Sequence, residues 1–223
     1  MLPRVILHNV VSLDGRIDGF VPNLGQYYGL VATWEEDATL AGSETILKSA
    51  GAEATAMEEV DPELPKADPG DRRVLLVVPD SRGRIRGWNW LRRQPYWRDA
   101  VVLCSRSTPS EHLEYLRARR VEYIVAGDDR VDLRAALEEL NARYGVATVR
   151  ADSGGTLNGV LLRAGLVDEV SVVVHPALVG GEVSRSIFRA ADLPAGAGVI
   201  SLELIHLERL EGDTVWLRYR VVR

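Results

Sequence analysis

The chain has 223 residues, 46% of them hydrophobic and 26% charged, with a formal net charge of −5. Such proportions belong to an ordinary water-soluble globular protein, and the acidic balance argues against broad nucleic-acid binding. A single cysteine, Cys104, excludes an intrachain disulfide framework and a cysteine-built metal site.

Arg4 to Val11 reads as a first strand, apolar on both faces and interrupted only by His8 and Asn9. This run lacks the layout of a signal peptide, and no later run approaches membrane-spanning length, so a cytoplasmic protein with one domain over residues 1–223 is expected. Phe20 to Tyr28 is punctuated by Pro22, Asn23 and Gly25 and reads as a loop. Tyr27 and Tyr28 there are either packing residues or a wall for a flat heterocycle, and the polar, glycine-rich surroundings favour the wall. Asp37 to Leu47 reads as a short buried strand, a small-residue turn at Gly42 and a helix start, with Ser43 as a candidate N-cap. Ala52 to Pro69, acidic and proline-containing, reads as a surface excursion. Val74 to Val78 is a buried strand ending at the turn Pro79-Asp80-Ser81-Arg82-Gly83-Arg84. From Arg82 to Arg98 arginines interleave with Trp88, Trp90, Tyr96 and Trp97. That mixture suits single-stranded nucleic acid, but the acidic chain favours tryptophans packed on the core or on a partner subunit.

Val101–Cys104 is a strand, and Thr108-Pro109-Ser110-Glu111 has the spacing of a capping box that opens a helix ending near Arg120. After the strand Val121–Val125, Asp132 caps a helix with Leu133, Ala136, Leu137 and Leu140 on one face. Ala147–Arg150 is a short β-prone run broken by Asp152-Ser153-Gly154-Gly155-Thr156. Leu157, Val160, Leu161 and Ala164 follow at helical spacing, with Gly165 in the C′ place, and Glu169–His175 is a strand ending at Pro176. At such a turn, glycines without Cβ let a diphosphate reach the backbone amides, and the helix start adds N–H groups and a favourable dipole. A plain tight turn explains the same glycines equally well. Ile200–Arg209 and Thr214–Val222, joined by Glu211-Gly212-Asp213, form a closing antiparallel hairpin. On its second run Val215, Leu217, Tyr219 and Val221 share one face and Trp216 stands on the other. So long an apolar edge calls for a cover, and the expectation is a second subunit with Trp216 near the centre of a two-fold interface.

Strand–helix alternation closed by a hairpin predicts a three-layer α/β domain with a mostly parallel sheet and an antiparallel C-terminal hairpin. Chemistry then belongs at the carboxyl ends of the strands, where Asn9, Gly42–Thr45, Ser81 and Asp152–Thr156 fall. The chain shows no Ser-His-Asp arrangement, no H-E-x-x-H and no metal-ligand cluster, so no metal is expected. Asp152 is the best polar candidate for chemistry.

The order D-S-G-G-T-L-N-G-x-L-L-x-x-G-L-V-D-E from Asp152, with P-x-L-V-G-G from Pro176, closely resembles the cofactor-binding segment of the riboflavin-pathway pyrimidine reductases. That family has a dihydrofolate-reductase-like fold. The resemblance is strongest over Val149–Gly181 and looser over Val5–Leu47 and Val74–Arg86. It implies a homodimer that uses NADPH to reduce a ribosylaminopyrimidine intermediate of riboflavin biosynthesis, as a 5-amino-6-(5-phosphoribosylamino)uracil reductase does. By the same resemblance Ser153, Gly154, Gly155, Thr156 and Leu157 contact the cofactor, as do Thr45, supported by Gly42 and Ser43, and Ser81. Arg82 and Arg84 become candidates for the 2′-phosphate. The family's N-x-x-S-L-D-G-x-I block is matched by Asn9, Ser12, Leu13, Asp14, Gly15 and Ile17. Substrate binding is therefore expected from Asn9, Ser12, Asp14, Tyr27, Tyr28 and Asp152, with Asn9 and Asp152 as catalytic candidates. Asp152 stands where the family often has a substrate-contacting glutamate. Ser49 stands where the family has an aspartate, and residues 50–69 lack the arginine of the block that binds substrate. This departure leaves room for a reductase of a pterin or another heterocycle, an inactive binding module, or an RNA-interacting protein using Arg82–Arg98.

Overall fold

The computed structural model describes residues 1–49, 70–182, 185–192 and 198–222. In chain order these form β1 (Arg4–Ser12), α1 (Leu24–Gly29), a 3-10 helix (Leu30–Trp34), β2 (Ala38–Ala41), a helix α2 described over 43–49, and β3 (Val74–Pro79). There follow α3 (Trp88–Arg92), β4 (Trp97–Cys104), α4 (Ser110–Ala118), β5 (Glu122–Val125), α5 (Leu133–Tyr144), β6 (Thr148–Asp152) and α6 (Gly155–Arg163). The chain closes with β7 (Glu169–His175), β8 (Leu202–Arg209) and β9 (Val215–Val221). The hydrogen-bonded order is β5-β4-β3-β2-β6-β1-β7-β9-β8. Pairing is parallel for β2–β3, β3–β4, β4–β5 and β1–β7, and antiparallel for β7–β9 and β9–β8. The mostly parallel sheet and its antiparallel closing hairpin are both found.

Two compact units divide the chain: Met1–Pro3 with Asp37–Val149, and Arg4–Glu36 with Arg150–Arg223. In the first, Leu76 and Val78 of β3 and Ala100, Val102 and Cys104 of β4 alternate onto one face and pack with Ile85, Trp88, Leu91 and Leu116. Each valine, leucine or isoleucine among them, fully buried, contributes about 1.5–3 kcal/mol. Trp88 is buried, and Trp90 and Trp97 lie half-buried against the same core. The tryptophans of the arginine-rich stretch thus face inward, and Arg92 is buried on Asp99 at 2.5 Å, while Tyr96, Arg82, Arg84, Arg86 and Arg93 stay exposed. Asp132 caps α5 by accepting from Ala135 N, and Gly145 closes that helix in the left-handed region.

Three local expectations are corrected. The segment 20–28 is not all loop: Asn23 Oδ1 accepts from Gln26 N and starts α1, whose Tyr27 is buried. No capping box opens α4; Pro109 is its N-cap, while the Thr108 hydroxyl serves Ser105 N and the Ser81 carbonyl. Ser43 is the first residue of α2 rather than its cap, since the Gly42 carbonyl accepts from Ile46 N. The excursion 52–69 lies wholly outside the described residues.

The second unit has its own core of Ile6, Tyr27, Trp34, Val173 and Trp216. Trp216 is 5% exposed and its Nε1 donates to Ser171 Oγ at 2.8 Å. Its side chain faces inward, across β9 from the solvent, so it cannot be the centre of a subunit interface. On β8 the residues Leu202, Leu204, Ile205 and Leu207 are left exposed.

Candidate functional site

In the second unit, β1, α1, β6 and α6 bring together most of the residues singled out. Asp152 ends β6. Arg150 Nη1 donates to its Oδ2 at 3.0 Å, and the hydroxyls of Tyr27 and Tyr28 each stand 3.4 Å from the carboxylate. Arg150 is buried and also donates through Nε to Glu36 at 2.9 Å. Burial opposes its charge, yet Glu36 and Asp152 hold it above the usual arginine range. Asp152 is therefore fixed from behind by a guanidinium while its other side reaches the surface. The Tyr27 phenol donates to the His8 carbonyl at 2.7 Å and is buried; only Tyr28 presents a ring at the surface.

Ser12 and Asp14 meet at 2.5 Å, and Asp14 also accepts from Val179 N and Gly180 N. The Ser12 hydroxyl first, then the two amides, pull Asp14 down to about 2. The N-x-x-S-L-D-G block and the L-V-G-G turn thus clasp each other through one carboxylate.

Asn9 is buried, with Nδ2 donating to the Ser153 carbonyl and Oδ1 accepting from Asn158 Nδ2, both at 2.8 Å. Ser153 Oγ donates to Asn158 Oδ1 at 2.7 Å. Gly154 is the N-cap of α6 and no side chain caps that helix. A Cβ on Gly154 would meet only Ile17 Cδ1 at 3.6 Å. Gly155 differs: a Cβ there would lie 2.1 Å from the Ser186 carbonyl oxygen, and its own carbonyl accepts from Arg189 N at 2.9 Å. The two glycines have different tasks. Gly155 admits the chain's own backbone, so a valine there would displace residues 186–189 rather than leave the fold intact. Gly154 leaves room beside the first amides of a nine-residue helix, and Thr156 is exposed with Leu157 half-buried next to it. That donor set fits the diphosphate of a dinucleotide.

In the first unit, Gly42, Ser43 and the exposed Thr45 follow β2 at the start of α2. Beyond β3, the buried Asp80 accepts from Arg84 N and Ile85 N and shapes the 80–85 turn. Ser81 Oγ accepts from Val131 N at 3.2 Å, so its hydroxyl is already engaged. Arg82 is exposed. Arg84 reaches Glu44 at 2.6 Å and Ser43 Oγ at 3.5 Å, which joins two of the predicted segments. The Glu44 carboxylate is lowered by its bond to Arg84.

Sequence reasoning missed Arg150, Glu36 and Asn158. Asn158 lies inside the motif itself, five residues after its partner Ser153, but its other partners, Asn9 and Ile187, are remote in sequence. Arg150 alternates with Asp152 along β6, which was a usable signal.

Strands that deliver glycines, hydroxyls and a carboxylate to the amino ends of helices are the arrangement on which α/β enzymes bind phosphorylated ligands. The sequence profile of the RibD C-terminal domain matches residues 3–216, and the chain belongs to that family. It is 34% identical over 229 aligned positions to the 2,5-diamino-6-ribosylamino-4(3H)-pyrimidinone 5′-phosphate reductase of Methanothermobacter thermautotrophicus, covering 96% of this chain and 97% of that protein. The enzyme of the same name from Archaeoglobus fulgidus is 32% identical, covering 84% and 86%. Among solved structures, Acinetobacter baumannii RibD superposes with a TM-score of 0.70 at 20% identity, covering 99% of this chain. This chain spans 58% of that longer one. The family is one of oxidoreductases, and it implies a nicotinamide cofactor.

Proposed function

We propose that this chain is an NADPH-dependent reductase of 2,5-diamino-6-ribosylamino-4(3H)-pyrimidinone 5′-phosphate in riboflavin biosynthesis, working as a cytoplasmic homodimer of a single reductase domain. The observation that carries this reading is the 34% identity sustained over 97% of a relative with that printed name. The reduced nicotinamide, when bound, supplies a hydride to C1′ of the opened ribosylamine. The chain's residues hold the partners in register and keep water away. Gly154, Thr156, Leu157 and the first amides of α6 receive the diphosphate. In the first unit, Thr45 with Gly42 and Ser43, and Ser81 with Arg82 and Arg84, are the further cofactor contacts that the family resemblance suggests. The Arg84–Glu44 pair is exposed and screened by solvent, so it yields to a phosphate at small cost. Asp152, held by Arg150, takes a polar edge of the pyrimidine, with Tyr28 beside it and with Ser12 and Asp14 shaping the floor. The absence of the family's arginine-containing block within 50–69 concerns residues outside those described.

The test compares turnover of two pyrimidines with NADPH. The diamino compound should be reduced with a kcat/KM at least about tenfold above that of 5-amino-6-(5-phosphoribosylamino)uracil, a difference of about 1.4 kcal/mol in transition-state binding. The reverse preference would move the enzyme to the deaminated substrate, and no turnover of either would remove the reading.

A further inference from the structure

Asn158 is fully buried on α6, and every polar atom of its side chain is used. Oδ1 accepts from Ser153 Oγ at 2.7 Å. Nδ2 donates to Asn9 Oδ1 at 2.8 Å and to the Ile187 carbonyl at 2.9 Å. The orientation of the amide is fixed by its neighbours, because a flipped group would set oxygen against those two acceptors. Three segments remote in sequence therefore meet on one amide: the end of β1, the loop before α6, and residues 185–189.

The last of these segments is drawn close to α6. Ile17 N donates to the Arg185 carbonyl at 3.0 Å, and Arg189 N to the Gly155 carbonyl at 2.9 Å. Gly159 makes the approach possible one turn further on. A Cβ there would lie 2.0 Å from the Arg189 carbonyl oxygen. Gly155 and Gly159, four apart, form a small-residue groove on α6, and 186–189 fills it. Gly154, in the same loop, meets none of 186–189: a Cβ there would touch only Ile17 Cδ1 at 3.6 Å.

We infer that Asn158 is a positioning residue: it locks the Ser153–Gly155 loop between Asn9 and the 185–189 segment, so that this segment backs the cofactor-binding turn and holds its amides in place before the cofactor arrives. The inference rests on the reductase reading for the identity of the ligand. Asn9, with both ends of its amide turned inward, acts in the same lock. Without the Asn158 donor the Ile187 and Asn9 oxygens lose their partner and the loop gains freedom that cofactor binding must remove, which weakens binding while leaving the chemical step alone.

The test measures NADPH affinity by quenching of tryptophan fluorescence, steady-state kinetics, and amide exchange over 185–189. Asn158→Ala should raise Kd and KM for NADPH at least about tenfold, keep kcat within about twofold, and speed exchange at Arg189. Asn158→Asp keeps the oxygen that faces Ser153 but donates only when protonated, so its NADPH affinity should recover as pH falls. If Asn158→Ala does not fold, Gly159→Ala, whose Cβ would meet the Arg189 backbone, should show the same loss of affinity and faster exchange. Failure of the unaltered protein to bind NADPH would overturn the reductase reading itself. Normal NADPH affinity in a folded Asn158→Ala or Gly159→Ala variant, or a loss confined to kcat, would overturn the positioning role alone.

Discussion

His8 lies wholly inside the second unit, stacked on Tyr27 with ring centroids 4.3 Å apart. Its Nε2 faces the Tyr27 carbonyl at 3.2 Å and its Nδ1 faces Ser171 Oγ at 2.9 Å. A carbonyl only accepts, so Nε2 carries the proton and Nδ1 accepts from the serine, which in turn accepts from Trp216 Nε1. Burial, the leading cause, lowers the imidazole from 6.5 to about 4. The unfolded chain takes up this proton first, so stability is full above pH 6.5 and is lost as pH falls from there toward 4. At about 1.4 kcal/mol per pKa unit the loss is on the order of 3 kcal/mol. Burial lowers His112 and His175 as well, so they add to the decline with the same sign. Chemical denaturation at a series of pH values checks this. His8→Gln should be less stable at neutral pH and show a shallower acid decline; an unchanged slope would show that His8 is charged or exposed in solution.

Among the elements, β8 stands apart. It pairs with β9 on one side only, among the described residues, and exposes Leu204 at 49% and Leu207 at 64%. An apolar edge of this kind is usually charged, bulged or covered. The register shift between Leu204 and His206 is such a bulge, but Leu202, Leu204, Ile205 and Leu207 remain outside. As the seat of the proposed dimer, β8 replaces Trp216. Sedimentation at micromolar concentration should give a dimer, and Leu204→Lys should shift it toward monomer with the thermal midpoint changed little. A monomeric unaltered protein would exclude the dimer. Elements such as α5 were legible because their signals are local: Asp132, an apolar face and Gly145 lie within one short segment. The helix α1 was not, since Pro22 and Gly25 read as breakers and what holds it is Tyr27, buried against residues far along the chain. Thr108 misled for a similar reason, its hydroxyl being claimed by Ser105 and Ser81 instead of by α4.

For the whole molecule, the parallel sheet, the closing hairpin and the glycine loop could be read from order and periodicity, because a strand–turn–helix unit is written in consecutive residues. The division of labour between Gly154 and Gly155 could not, because it depends on where 186–189 returns. The lock on Asn158 joins residues 149 and 29 positions away, which no local pattern records. Nothing in composition distinguishes a reductase from a binding module of the same fold; the claim that separates them is direct hydride transfer. NADPH carrying deuterium at the transferring position of the nicotinamide should be incubated with the protein and the diamino-ribosylamino pyrimidinone phosphate, and the product analysed by mass spectrometry. The account expects a ribitylamino product bearing one deuterium at C1′ and an equal amount of oxidised cofactor. Bound NADPH that stays reduced while the pyrimidine is unchanged, or a reduced product without deuterium, would contradict it.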